Sequence, residues 1–452
     1  MNTVKIENAY ITLVDGDRGK NYPKQNDLSS TGDCLFLSAK NVTKEGFIFN
    51  EICFISSEKD SQLRAGKLER GDIVITTRGT IGNIAYFHEN IPYQNIRINS
   101  GMLIIRADEN YWDKYFLFIY LSSKIFQNQL ETFISGSAVP QLPAKDLKKM
   151  LLPKIALNTQ IKIRKIIKSF NDKITLNTQT NQTLEQIAQA IFKHWFIDFA
   201  PVHAKANALA RGETIEQAEL AAMACLSGKT AEKITALKTE DPTAYHQLQQ
   251  TAAAFPSEFV ETEMGQVPKG WEVLKFKDFV KETKEKVGKL QGIEEYSVGN
   301  EGIYPRKEKY KKQLAKDPSK NKLIREANIV FGMGNKEVNW GIMRDKIGSV
   351  SSAYNIFQIN DINHLFLDMF INNIPYYFRD IIKPTSRQGQ TIDKEAFLEK
   401  AIYYPNKEII NIFLEKITQI NELSICIKSQ NIYLLSIRDY LLPKLLGGEI
   451  KL

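Results

Sequence analysis

The chain has 452 residues, 43% of them hydrophobic, and a formal charge of +8. That length suits two to four domains with real cores, and the modest positive excess permits a nucleic-acid partner without demonstrating one. Cys34, Cys53, Cys225 and Cys426 are scattered, with no CxxC and no histidine at metal-ligand spacing, so neither zinc nor a disulfide framework is indicated. The N-terminus MNTVKIENAY has no apolar signal core, and no apolar run approaches the roughly 18 residues a membrane span needs, which points to a reduced cytoplasm.

Residues 1–155 read as a first globular unit with short apolar runs between Gly, Asp and Asn. Strands are expected at Cys34–Leu37, Gly46–Phe49, Asp72–Thr76, Ile81–Phe87 and Met102–Ile105, and one helix over Tyr111–Phe133. Mixed α/β or α+β is the natural class. Three loops mix glycine with hydrogen-bonding or cationic side chains: Asp15–Pro23, Thr76–Gly82 and Ser135–Gln141. Glycine lets a backbone approach a partner closely, while Arg, Gln, Ser and Thr suit phosphates and base edges. Plain turn chemistry is the competing reading of each loop.

Residues 156–200 form a long helix. Its steps of four and three run through Ile163, Ile167, Phe170, Ile174, Asn177, Asn181, Leu184, Ala188, Ile191 and Trp195, a coiled-coil seam with two asparagines in its middle. Asp198, Phe199, Ala200 and Pro201 close it. Residues 201–267 are an alanine-rich connector in which Thr214–Leu226 and Thr230–Leu237 read as short helices. A second globular unit covers 268–405, with Asn328–Phe331 in the place of Asp72–Ile75 and Arg387–Ile392 in the place of Ser137–Leu142.

Residues 406–452 repeat the seam at a constant offset of 250, through Phe413, Ile417, Ile420, Ser424, Ile427, Asn431, Leu434, Arg438, Leu441 and Leu445. Antiparallel pairing sets Asn177 opposite Asn431, and parallel pairing sets Asn181 there. Either leaves one asparagine facing Ile427. The seam alone does not choose. Thirty-eight residues of helix span roughly 57 Å at about 1.5 Å per residue.

Catalytic chemistry is missing from the pattern. Gly332-Met333-Gly334 begins a GxGxxG, but Glu337 stands where the third glycine belongs, and no GxxxxGK[ST] occurs. Asn90-Ile91-Pro92-Tyr93 and Asn373-Ile374-Pro375-Tyr376 approach the Asn-Pro-Pro-Tyr of amino-methyltransferases, yet isoleucine replaces the first proline and no cofactor loop accompanies them. The five histidines are dispersed, and no nuclease carboxylate cluster can be argued.

The chain resembles the specificity subunit of a type I restriction-modification system. Asp17–Pro23, Phe36–Val42, Gly71–Thr76 with Gly79–Gly82, and Ser135–Leu142 are similar to stretches of its target recognition domains. Asn181–Glu185 and Ile191–Phe199 fit its first helix, and Arg438–Ile450 fits its C-terminal end. In the second unit Asn328 replaces the usual Asp, and Gly334–Val338 lacks the Gly-Thr-Ile-Gly form.

The resemblance implies an α+β fold: two globular α/β target recognition domains joined by two long antiparallel coiled-coil helices, in a pseudo-two-fold internal repeat. It implies a non-catalytic chain that recognises a bipartite double-stranded DNA target. Its partners would be two methyltransferase subunits, which bind S-adenosylmethionine, and motor-nuclease restriction subunits. The chain itself would hold no cofactor or metal. From the polar loops, Arg78, Thr80, Ser137 and Gln141 are the expected DNA-facing residues of the first unit. Lys336, Asn339, Arg344, Arg387, Gln388 and Gln390 are those of the second. Leu184, Ile191, Phe192, Trp195, Phe196, Leu441, Leu442 and Leu445 are the expected partner-binding residues. Two rival classes are a self-contained DNA-modifying enzyme, disfavoured by the missing motifs, and a coiled-coil scaffold with two protein-binding domains and no DNA role.

Overall fold

The computed structural model describes residues 2–134, 141–300, 302–310, 312–332, 339–384 and 390–452, with backbone alone at 384 and 390. The chain divides into two units, residues 1–181 with 425–452, and residues 182–424.

The first unit is built on a four-stranded antiparallel sheet in the order Ile11–Asp15, Met102–Ala107, Ile73–Thr76, Ile84–Tyr86. Its central strands read as apolar runs, Ile73–Ile75 and Met102–Ile105, because both of their faces are covered. Ile73, Ile75, Leu103 and Ile105 point into one core with the helices Lys114–Ser122 and Lys124–Glu131. Val74, Met102 and Ile104 point into another with Leu35, Ile96 and Ile98. That second layer is a three-stranded sheet, Phe54–Ile55, Cys34–Leu37, Ile96–Ile98, whose last two strands run parallel.

The single helix expected over Tyr111–Phe133 is two helices. Ser123 adopts an extended conformation, ends the first and caps the second, its hydroxyl accepting the Phe126 N–H at 3.5 Å. A serine whose side chain satisfies an N-terminal amide favours a restart over continuation.

The long helix Leu157–Phe192 continues through a π turn at Lys193–Ile197, and the second long helix spans Lys407–Gly447. Within the first unit their segments run antiparallel. The Asn177 amide donates to Gln430 Oε1 and to Asn431 Oδ1, both at 2.8 Å, while Arg438 donates to Asn171 Oδ1 at 3.1 Å. Partner numbers fall as helix numbers rise, so the Asn177–Asn431 alternative is the one that forms. Ile163 and Ile167 share a core with Leu442, Leu445 and Leu446.

The second unit repeats the sheet order: Val280–Glu282, Asn355–Ile359, Asn328–Phe331, Trp340–Ile342. The repeat also explains the Asp-to-Asn change. In the first unit Asp72 takes the Glu69 N–H at 2.7 Å and pairs with Arg106 at 2.7 Å. In the second, Asn328 takes the Arg325 N–H at 2.9 Å and donates to Gln358 at 2.5 Å. The strand-capping bond is kept, and the charged cross-strand pair becomes a neutral one.

The connector holds four helices, Ala200–Ala210, Ile215–Ser227, Ala231–Glu240 and Pro242–Ala254, the last three packed around Ala222, Met223, Ile234 and Ala252. The first and last escaped the sequence reading. Phe199 turns the chain in the left-handed region at φ 46°, and Pro201 then opens a helix rather than only ending one. Among the described residues no helix is long and apolar enough to cross a membrane, and no group of three or more His, Cys, Asp or Glu could hold a metal ion.

Candidate nucleic-acid interface

In the first unit, loops remote in sequence meet around the turn Asn99–Gly101. A Cβ on Gly16 would lie 2.1 Å from the Asn99 carbonyl oxygen, so only glycine allows the Asp15–Pro23 loop to seat there. Asp17 then clamps the loop. Its carboxylate accepts the N–H groups of Gly19 and Arg64, both at 2.7 Å. Burial alone would raise its pKa, but those backbone bonds, with one from Ala65 and the nearby Arg97 charge, hold it below the usual value.

On the other side of the turn, the Gly101 carbonyl accepts the N–H of Thr77 at 2.8 Å and of Arg78 at 3.3 Å. Arg78 forms an antiparallel bridge with Gln141, and Leu142 N–H donates to the Thr77 carbonyl at 3.1 Å. Gly79 (φ 74°) and Gly82 (φ 89°) occupy the left-handed region, and the Thr76 hydroxyl ties back to the Thr80 carbonyl. The result is a hydrogen-bonded turn on which Arg78, Thr80 and Gln141 are all exposed. The Arg78 side chain has no partner among the described residues. Ser137 lies outside the described residues.

The second unit arranges its candidates differently. Asn339 is half-buried; its carbonyl accepts the Gly332 N–H at 2.7 Å and its amide approaches the Val298 carbonyl at 3.5 Å, so the side chain faces its own fold. Arg344 is exposed but bonds Asp368 at 2.6 Å, in a cavity also lined by Glu185 and Asp345. That acidic setting offsets its charge. Lys336, Arg387 and Gln388 lie outside the described residues, as does the side chain of Gln390.

Sequence reasoning passed over a cationic-aromatic cluster in the second unit. The Arg306 guanidinium lies 4.4 Å from the Tyr310 ring centroid, and the Lys309 ammonium lies 4.3 Å from that of Tyr304. Arg306 also donates to Ser297 Oγ and the Lys312 carbonyl, both at 3.0 Å, pinning the stretch that carries Lys307 and Lys312. The run Arg-Lys-Glu-Lys-Tyr-Lys-Lys at 306–312 was the available signal: basic residues around an aromatic. In the first unit Arg64 was passed over in the same way. Its signal was a lone arginine beside the turn Ala65-Gly66.

The helix residues expected to bind partners are mostly interior. Phe192 is 0% exposed, and with Trp195 and Phe196 it packs on Phe413 inside the second unit. Leu442 and Leu445 fill the first unit's core, while Leu184, Ile191 and Leu441 are half-buried. Aromatics buried in the unit's own core serve the fold and offer a partner no surface. The apolar groups that do face outward lie off the seam: Leu176, Ile425, Ile432 (67% exposed), Tyr433 (70%), Ile437 and Tyr440 in the first unit, Ile187 and Leu423 in the second.

Residues 13–186 match the family model described as the type I restriction modification DNA specificity domain. The chain is 32% identical to the type I restriction enzyme HindI specificity subunit of Haemophilus influenzae, over 96% of this chain and 98% of that one. It is 25% identical to the MjaIX specificity subunit of Methanocaldococcus jannaschii, over 93% and 87%. Among solved structures, the type I restriction-modification S subunit from M. genitalium superposes with a TM-score of 0.45 at 12% identity, covering 98% of this chain and 95% of that one.

Proposed function

The chain belongs to the family of type I restriction enzyme specificity subunits, and on that premise we propose how its parts divide the work. Each unit reads one part of a two-part double-stranded DNA target. The long helices receive methyltransferase subunits, two of them by the pseudo-two-fold repeat, and motor-nuclease subunits join that assembly. S-adenosylmethionine sits on the methyltransferases. This chain performs no chemical step; it chooses the DNA, and it works in the cytoplasm.

The observation that carries this reading is the duplicated sheet, the same four-strand order in both units, each followed by a long helix. Duplicated readers suit a split site. In the first unit the exposed Arg78, Thr80 and Gln141 supply donors and acceptors of the kinds that read base edges or hold phosphates. In the second, the Arg306–Lys312 stretch supplies cations and aromatic faces. On the helices, the outward Ile432, Tyr433, Ile437 and Tyr440 form the apolar surface a protein partner would cover.

The experiment is co-expression with the cognate methyltransferase and mapping of methylated adenines, together with binding to the mapped target at several salt concentrations. A two-part motif, bound with steep salt dependence, is the expected result. Methylation that ignores removal of this chain, or a complex with no target preference, overturns the reading. The latter would leave a coiled-coil scaffold.

A further inference from the structure

Most arginines of the first unit are consumed by the fold. Arg18 bonds Asp15, Arg70 three backbone carbonyls, Arg106 Asp72, Arg164 Asp113, and Arg438 Asn171 and Asp439. Arg97 is the extreme case. It is 6% exposed, and its guanidinium donates to the Asp60 carboxylate and to the carbonyls of Ala65 (2.8 Å), Asp60 (2.9 Å) and Leu63 (3.2 Å). The other Asp60 oxygen takes Lys67 Nζ at 2.6 Å. Among the described residues of this unit, only Arg64 and Arg78 have exposed guanidiniums with no hydrogen bond or ion pair.

Arg64 lies inside the segment that Arg97 grips, and its own N–H is the one held by Asp17. The Gly66 carbonyl accepts the Ile98 N–H at 2.9 Å, and a Cβ on Gly66 (φ 86°) would lie only 3.2 Å from the Gly16 Cα; Gly16 abuts Asn99, and Gly101 of the same turn holds the backbone of Arg78. The two free guanidiniums therefore project from loops anchored to one turn. Burying an ion pair is a poor route to stability, since desolvation cancels most of the Coulomb gain. A buried fork that collects three carbonyls of one loop instead fixes that loop's conformation.

We propose that Arg64 is a further DNA-contacting residue of the first unit, and that Arg97 and Asp60 are the positioning residues that fix its loop on the turn that also anchors Arg78. The proposal rests on the DNA-reading role above and adds to it. A surface arginine loses side-chain entropy on binding, and a fixed backbone anchor spares it the further loop-ordering cost.

The test uses the full complex with its methyltransferase and the mapped DNA target. Arg64→Ala, a surface change, should lower affinity about tenfold, with either one base position relaxed in one half of the target or a salt slope smaller by about 1. Arg97→Lys keeps the charge but cannot reach three carbonyls and a carboxylate, and should weaken binding by a similar factor. In an Arg64→Ala background Arg97→Lys should add little, because its effect passes through Arg64. A merely structural Arg97 would weaken both backgrounds equally and overturn the positioning role. Full affinity and an unchanged motif for Arg64→Ala, in an assay where Arg78→Ala weakens binding, overturns the contact. A wild-type complex with no target preference instead removes the DNA-reading role on which the proposal rests.

Discussion

The Asn177–Asn431 pair in the helix seam lends itself to a double-mutant cycle. Asn177 is 3% exposed, and both its amide protons are used, on Gln430 and on Asn431. In Asn177→Leu, Gln430 turns to water, but Asn431 keeps only contacts at 3.4 Å to the Ile174 carbonyl and the Thr178 hydroxyl. Stranding a half-buried amide costs about 1–3 kcal/mol, and the apolar area gained by one leucine offsets part of it. The single variant should lose about 1 kcal/mol, or about 2–4 °C in Tm for a unit of this size. Asn431→Leu should behave alike. In the double variant no amide is stranded and two leucines meet across the seam, each worth about 1.5–3 kcal/mol when buried. The double variant should therefore melt above wild type, with a coupling energy of about 2 kcal/mol or more, and with weaker discrimination between seam registers. Far-UV circular dichroism through the unfolding transition gives the four stabilities. Additivity within about 0.5 kcal/mol would refute the direct pair.

Four other outcomes follow from the structure. Asp72→Asn should destabilise the first unit by about 1–3 kcal/mol, because Arg106 loses the carboxylate it pairs with; Asn328→Asp should cost the second unit a similar amount by burying a charge opposite neutral Gln358, both read by denaturant midpoints. Asn181 Oδ1 is buried without a hydrogen-bond partner among the described residues, so Asn181→Leu should raise the melting temperature rather than lower it. Ile432→Ser with Tyr433→Ser should leave melting unchanged while reducing co-purification of the methyltransferase, since both side chains face outward. Burial would raise the Asp60 pKa, but Lys67 and Arg97 hold it down at about 2, against 3.8 for the free group. Its contribution to stability is thus complete above about pH 4 and lost as pH falls toward 2. Asp60→Asn should flatten that acid limb in a pH series of unfolding midpoints.

The sequence by itself determined the architecture. Ten seam positions at one offset, two apolar-strand units and glycine-rich turns were enough for a duplicated α+β chain on two long helices, because periodic burial writes itself into composition. The Asn177–Asn431 pairing was also on the page, as one of two alternatives. The seam left direction open, since it has the same period read either way; the family resemblance supplied the antiparallel sense, and the contacts that realise it waited for the structure. So did the break at Ser123: the apolar spacing passes through it, and only the hydroxyl's bond to Phe126 shows the restart. The roles of individual cations lay furthest from the sequence. Arg64, Arg97 and Arg106 look alike in a list of letters, yet one is free, one is buried on four acceptors and one answers Asp72. Partners 30 or more residues away decide which. The same holds for Phe192, Trp195 and Phe196. Their spacing marks an apolar face, but whether that face meets a partner or the chain's own core depends on what else folds against it, and here Phe366 and Phe413 fill the place.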